Sequence, residues 1–134
     1  MHWITLGFDL NKKFFERGLE DGSLGHAYLF SGQEMTGKKL FALDIVKSAL
    51  EADSIENNPN FLFLGGEESI TIDQIRGLKK FLSLKPYSGK YKIGVIDNCH
   101  LMASEAANAL LKTLEEPTQY SLLVLVTSNL GQVL

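Results

Sequence analysis

Two groups of residues in this sequence have types and spacing that could do chemistry. The first is Gly32-Gln33-Glu34-Met35-Thr36-Gly37-Lys38-Lys39. It follows the pattern Gly-x-x-x-x-Gly-Lys-[Ser/Thr] at every position but the last. In such a loop the backbone N–H groups wrap phosphates and the lysine adds a point charge. The final hydroxyl holds Mg²⁺. The second group is the apolar run "KIGVIDNCH", which ends in Asp97, the kind of acid that orders a magnesium shell.

Gly32, Gly37, Lys38, Lys39 and Asp97 are therefore the candidate nucleotide-site residues, to which Thr127 is added below on a resemblance, with no catalytic residue and no metal ligand among them. The site reads as degenerate. Lys39 has no oxygen for a metal, and its charge sits where the ion would be. A single and a double positive charge 4 Å apart repel by roughly 8 kcal/mol at an effective dielectric near 20, an upper bound because the lysine can swing away. Asn98 follows Asp97 where hydrolysing proteins of this kind commonly place glutamate. An amide cannot take a proton at neutral pH, so Asn98 is no general base. Glu34 adds negative charge near the phosphates, and Met35 adds bulk. These residues predict weak or absent nucleotide binding, residual ATP or ADP at most, and no efficient hydrolysis. Lys39 is expected to fill the vacant metal position and pair with Asp97, with the two heads within about 6 Å.

A loop of this kind needs a strand before it and a helix after it. "HAYLFS", 26 to 31, reads as a buried strand, and a helix is expected from Lys38 to Ala52. Its apolar face runs through Leu40, Leu43, Val46 and Leu50, with Phe41, Ile45 and Ala49 beside it. A short helix over 11 to 21 turns Phe14, Phe15 and Leu19 inward. "FLFLGG" is a second strand. Thr71 and Gln74 form a capping box for a helix carrying Ile72, Ile75, Leu78 and Leu82. "YKIGVID" is a third strand. Ser104 caps a helix with Ala107, Leu110, Leu111 and Leu114 inward, and Pro117 ends it. "SLLVLVTSN" is a fourth strand. This alternation predicts an α/β fold, a parallel sheet flanked by helices. The chain is expected to be one domain over 1–134, incomplete at its C-terminal end and truncated before a fifth strand.

Composition agrees. Of 134 residues, 45% are hydrophobic and 22% charged, enough for a core and unlike a disordered chain. The formal net charge of -3 argues against a broad DNA-gripping surface. The single cysteine, Cys99, excludes an intramolecular disulfide and a cysteine-rich zinc site. No apolar run reaches the roughly 18 residues of a membrane span, and the N-terminus lacks a signal-peptide pattern. No membrane association and a cytoplasmic location are the expectation.

In chain order, "HAYLFSG", the loop, "SITIDQIRGLKKFLSLKPYSGKYKIGVIDNCHLM", "EAANALLKTLEEP" and "LLVLVTSN" resemble the N-terminal AAA+ (P-loop) domain of bacterial clamp-loader subunits of DNA polymerase III. "NALLKTLEEP" is the most specific piece. "IDN" in place of Asp-Glu is similar to the delta-prime branch rather than the motor subunit. The resemblance implies a structural member of the assembly that loads the sliding clamp on primed DNA during replication, part of a polymerase (nucleotidyltransferase) holoenzyme. The gamma/tau and delta subunits would be its partners. It also implies that Thr127-Ser128-Asn129 occupies the position that senses a γ-phosphate. Two departures follow. "EADSIENNPN" stands where relatives carry a four-cysteine zinc module, so no zinc is expected. The family's Ser-Arg-Cys motif would lie beyond Leu134. Rival readings are an active gamma/tau-like ATPase subunit and an unrelated P-loop nucleotide or nucleoside kinase.

Among the rest, His26 reads as a packed or hydrogen-bonded histidine. Ala106, Ala107 and Ala109 read as packing against the sheet rather than a neighbouring subunit. Lys12, Lys13, Lys79, Lys80, Lys85, Lys90 and Lys92 read as solvated surface rather than DNA contacts. Cys99-His100, without a second pair, is no metal site.

Overall fold

A computed structural model describes residues 9–22, 25–31, 37–66 and 69–128. Four parallel strands alternate with helices in the order α1 (Asp9–Asp21), β1 (Ala27–Ser31), α2 (Lys38–Leu50), β2 (Phe61–Leu64), α3 (Ile72–Ser83), β3 (Lys92–Ile96), α4 (Ser104–Glu115) and β4 (Ser121–Thr127). A short 3₁₀ turn, Cys99–Leu101, stands between β3 and α4. The spatial order of strands is β1-β4-β3-β2. All pairs are parallel, with Phe30 opposite Val126 and Val95 opposite Val124. The predicted α/β sheet flanked by helices is what forms.

Position in the sheet explains strand composition. β3 and β4 are central and buried at every residue, which is why they read as unbroken apolar runs. One core, built on Ile75, Leu78, Leu82 and Leu110, fills the face under α3 and α4. The other, built on Phe15, Phe41, Ile45 and Val46, fills the face under α1 and α2. Phe15 ties α1 to the sheet through rings of Tyr28, Phe30 and Phe41, with centroids 4.8, 5.8 and 5.9 Å away. Gly94 lets α3 close onto β3, because a Cβ there would meet Leu78 Cδ1 at 2.7 Å.

Several expectations are corrected. "HAYLFS" is not a buried strand: β1 lies at an edge, and Ala27, Leu29 and Ser31 are exposed while Tyr28 and Phe30 pack inward. In α1 Phe15 enters the core, whereas Leu19 is only half-buried and Phe14 is exposed. In α2 the expected Phe41, Ile45 and Val46 are buried and Leu43, Ala49 and Leu50 half-buried, but Leu40 is exposed, and Ala42 and Asp44 are buried as well. α4 turns Ala106 and Leu110 inward and leaves Leu111 out, with Ala107 only partly covered. Ser104 does not cap α4; the N-cap is Ala103, with no side-chain cap. Lys92 is not solvated surface. It is 6% exposed, its ammonium donating to the Pro59 carbonyl at 3.0 Å and lying 4.2 Å from the Phe81 ring centroid. The Thr71–Gln74 capping box is present in both directions.

Candidate functional site

The chain crosses from β1 to the far edge, β2, and returns through β3 and β4. The reversal leaves a crevice at the C-terminal ends of the strands, where ligands of open α/β sheets bind. A cleft of about 600 Å³ lies there, lined by Gly37, Lys38, Lys39, Leu43, Asp97, Asn98, Val126 and Ser128 among others.

Each wall has a local cause. Gly37 sits at φ 86° as N-cap of α2, a left-handed conformation that suits glycine. Phe41 N–H bonds back to the Gly37 carbonyl at 2.9 Å, starting the helix. Lys38 is buried at 7% exposure. Asp97 leaves β3 with its N–H held by the Leu64 carbonyl at 2.9 Å. Gly65, at φ 101°, permits this approach, since a Cβ there would lie 2.0 Å from the Asp97 carbonyl oxygen. Asn98 takes a left-handed conformation (φ 51°, ψ 47°), and its side-chain amide donates to the Gly66 carbonyl. That bond fixes the amide as a strut between the ends of β2 and β3.

Both carboxylate oxygens of Asp97 are engaged. Oδ1 accepts from the Asn98 N–H at 3.0 Å. Lys39 Nζ stands 3.8 Å from Oδ2. The expected Lys39–Asp97 pairing is therefore present, inside the 6 Å limit. The ammonium also lies 5.0 Å from the Phe63 ring centroid. Because the Lys39 side chain is half exposed, the pair contributes only about 0–1 kcal/mol to stability. Its consequence is occupancy: a cation stands beside the acid that would order a metal.

Thr127 does not line the cleft. It is fully buried, and its hydroxyl lies 2.9 Å from His100 Nδ1 on the opposite face of β4. Strand alternation turns Val126 and Ser128 toward the cleft instead. Ser128 belongs to the Thr127-Ser128-Asn129 run that the resemblance singled out, and it is Ser128 rather than Thr127 that lines the cleft. Cys99 packs behind Thr127, fully buried, its thiol pushed up to about 11 chiefly by burial, with Asp97 adding to the rise and the Thr127 hydrogen bond opposing it. His26, at the other end of the sheet, lies 3.2 Å from the Ser121 carbonyl through Nδ1, a hydrogen-bonded histidine as expected. Gly32, with Glu34 and Met35, lies outside the described residues.

The family description "DNA polymerase III, delta subunit" matches residues 9–134. The chain belongs to that family. Among its relatives, the DNA polymerase III subunit tau/gamma of Haemophilus influenzae is 36% identical over 84% of this chain and 19% of its own length. The subunit tau of Bacillus subtilis is 28% identical over 87% of this chain and 24% of its own. The chain thus spans about a fifth to a quarter of those polymerase subunits. In structure it is similar to a DNA polymerase III gamma-subunit-related protein of Thermotoga maritima. The TM-score is 0.73 at 27% identity, covering 93% of this chain and 42% of that one. RuvB of the same organism matches at TM-score 0.63 and 19% identity, covering 96% and 41%, and shares the fold. The polymerase III relatives described here are tau and gamma subunits, so the family is shown more broadly than the delta-prime branch.

Proposed function

We propose that this chain is the N-terminal AAA+ domain of a delta-prime-type subunit of the DNA polymerase III clamp loader, a structural member that does not hydrolyse ATP. It would work in the cytoplasm through contacts with gamma/tau and delta subunits, and through them serve the sliding clamp and primer-template DNA. One observation carries the reading: Lys39 Nζ lies 3.8 Å from Asp97 Oδ2, where a hydroxyl would otherwise present magnesium. Two facts support it. Asp97 has no oxygen left unengaged, and Asn98, committed to Gly66, can neither accept a proton nor swing to position water.

The test is a calorimetric titration of ATP into the full-length subunit, with and without Mg²⁺, beside steady-state turnover. The expected result is binding that magnesium does not strengthen, and background turnover. Lys39→Thr should restore a metal ligand and remove the competing charge. Magnesium should then strengthen ATP binding by about tenfold or more, a change of about 1.4 kcal/mol. A second reading, an active gamma/tau-like ATPase subunit, is favoured by the names of the polymerase III relatives. Tight magnesium-dependent capture with turnover in the unsubstituted subunit would establish it in place of the first.

A further inference from the structure

A different surface lies at the opposite end of the sheet, before β3. Between Asp73 and Asp97 there is no acidic residue, and six basic ones occur: Arg76, Lys79, Lys80, Lys85, Lys90 and Lys92. They are a large share of the 13 in a chain of net charge -3. Two are committed elsewhere. Arg76 pairs with Asp73 at 3.3 Å, and Lys92 is buried against Phe81. Lys79, Lys80, Lys85 and Lys90 are exposed. Lys79 shares a cavity rim with Glu116 and Lys90 one with Glu51, and none of Lys80, Lys85 and Lys90 is held in an ion pair among the described residues.

Among these lysines the α3–β3 loop holds out two apolar side chains. Leu84 is 52% exposed and Tyr87 83%. The exposure is built. Asn60, itself 4% exposed, accepts from the Tyr87 N–H at 2.7 Å and donates through Nδ2 to the Ser88 carbonyl at 2.7 Å. At the loop's start, Thr118 donates to the Leu82 carbonyl at 3.1 Å and the Tyr120 hydroxyl to that of Ser83 at 2.9 Å. A buried amide thus pins the loop from within while the Tyr87 ring faces solvent. Beside the loop opens a cavity of about 390 Å³, lined in part by Ser48, Glu51, Asn58, Ser88, Lys90 and Tyr91.

From this arrangement we infer that the α3–β3 loop is a docking surface for single-stranded nucleic acid. Lys80, Lys85 and Lys90 meet its phosphates, and Tyr87 stacks on a base. A rigidly presented aromatic ring among lysines is what sequence-tolerant single-strand binding needs. The adjoining cavity offers hydroxyl, amide and carboxylate groups to a splayed base. The choice of nucleic acid over an acidic polypeptide rests on the exposed Tyr87 ring, because Glu51 at the cavity rim, with Asp53 and Glu56 in the same loop, opposes either polyanion. The inference does not rest on the state of the nucleotide cleft.

The test is fluorescence anisotropy of a labelled oligothymidylate with the full-length subunit across a salt series. Three lysines predict a log–log salt slope of about −2. Tyr87→Ala should weaken binding about tenfold while Tyr87→Phe retains it. Lys85→Glu with Lys90→Glu should remove most of the salt slope. Lys112→Glu should leave binding unchanged. All these side chains are exposed, and an unchanged thermal melt confirms folding. Absence of salt-sensitive binding overturns the inference, as does binding indifferent to Tyr87. Capture of polyglutamate with the same variant sensitivity, and no capture of the oligonucleotide, overturns it too and assigns the face to an acidic protein.

Discussion

Single residues set what the cleft can do. Gly65 is a case where one hydrogen atom matters. Alanine there would hold φ 101° with a side chain and press its Cβ on the Asp97 carbonyl, a backbone atom that cannot turn aside. Gly65→Ala should cost about 3 kcal/mol, read from the denaturant midpoint at unchanged slope. It should also move Asp97 away from Lys39. Cys99 gives a pH test. Burial raises its folded-state pKa to about 11, so the native state keeps the thiol proton when the unfolded chain releases it. Between about pH 9 and pH 11 the unfolded state therefore binds fewer protons, and stability falls as pH rises through that window. Below it this contribution is fully present. Native Cys99 should resist alkylation at pH 8, and a denatured sample should react at once. The cluster Gly37, Lys38, Lys39 and Asp97 was legible because motif spacing is local. Thr127 was misplaced because its facing depends on the phase of β4, which polar residues at a strand end do not reveal.

At the scale of elements, reading succeeded where a local rule was strong. Thr71 and Gln74 announce the start of α3, and both bonds of the box form. Thr71→Ala should lower stability by about 1 kcal/mol, measurable as a shift in the unfolding midpoint. Ser104 failed as a cap because Ala103 already holds the extended N-cap position and the helix begins at Ser104 itself. In α2 the reading placed Phe41, Ile45 and Val46 correctly and erred at Leu40 and Asp44, because Leu40 looks like core and Asp44 does not. The α-carbon positions, set by where Gly37 starts the helix, put Ala42, Ile45 and Val46 on the sheet and Leu40 at the rim of the cleft. The lysine-rich α3–β3 segment divides in the same way. Lys92 packs inward under Phe81, whereas Lys85 and Lys90 remain outside, a distinction that charge counting cannot make.

At the scale of the molecule, the fold class followed from alternating apolar runs and helical periodicity, while the order of strands did not. β1 and β4 have similar apolar content, yet one is lateral and the other central. That difference comes from the crossover path, a non-local fact. The same path sends the phosphate-type loop and Asp97 to one end of the sheet and the Tyr87 loop to the other, so the two surfaces can be altered independently.

The lateral placement of β1 has its own outcome. Its outer rim pairs with no strand among the described residues, and Leu29 on it is 41% exposed. The outward-pointing backbone groups of this five-residue strand, beside an apolar side chain, are a template for intermolecular strand addition. Handled by itself at high concentration, the 134-residue polypeptide should self-associate through this rim. Leu29→Lys should shift its sedimentation toward the monomer while leaving the far-ultraviolet dichroism unaltered.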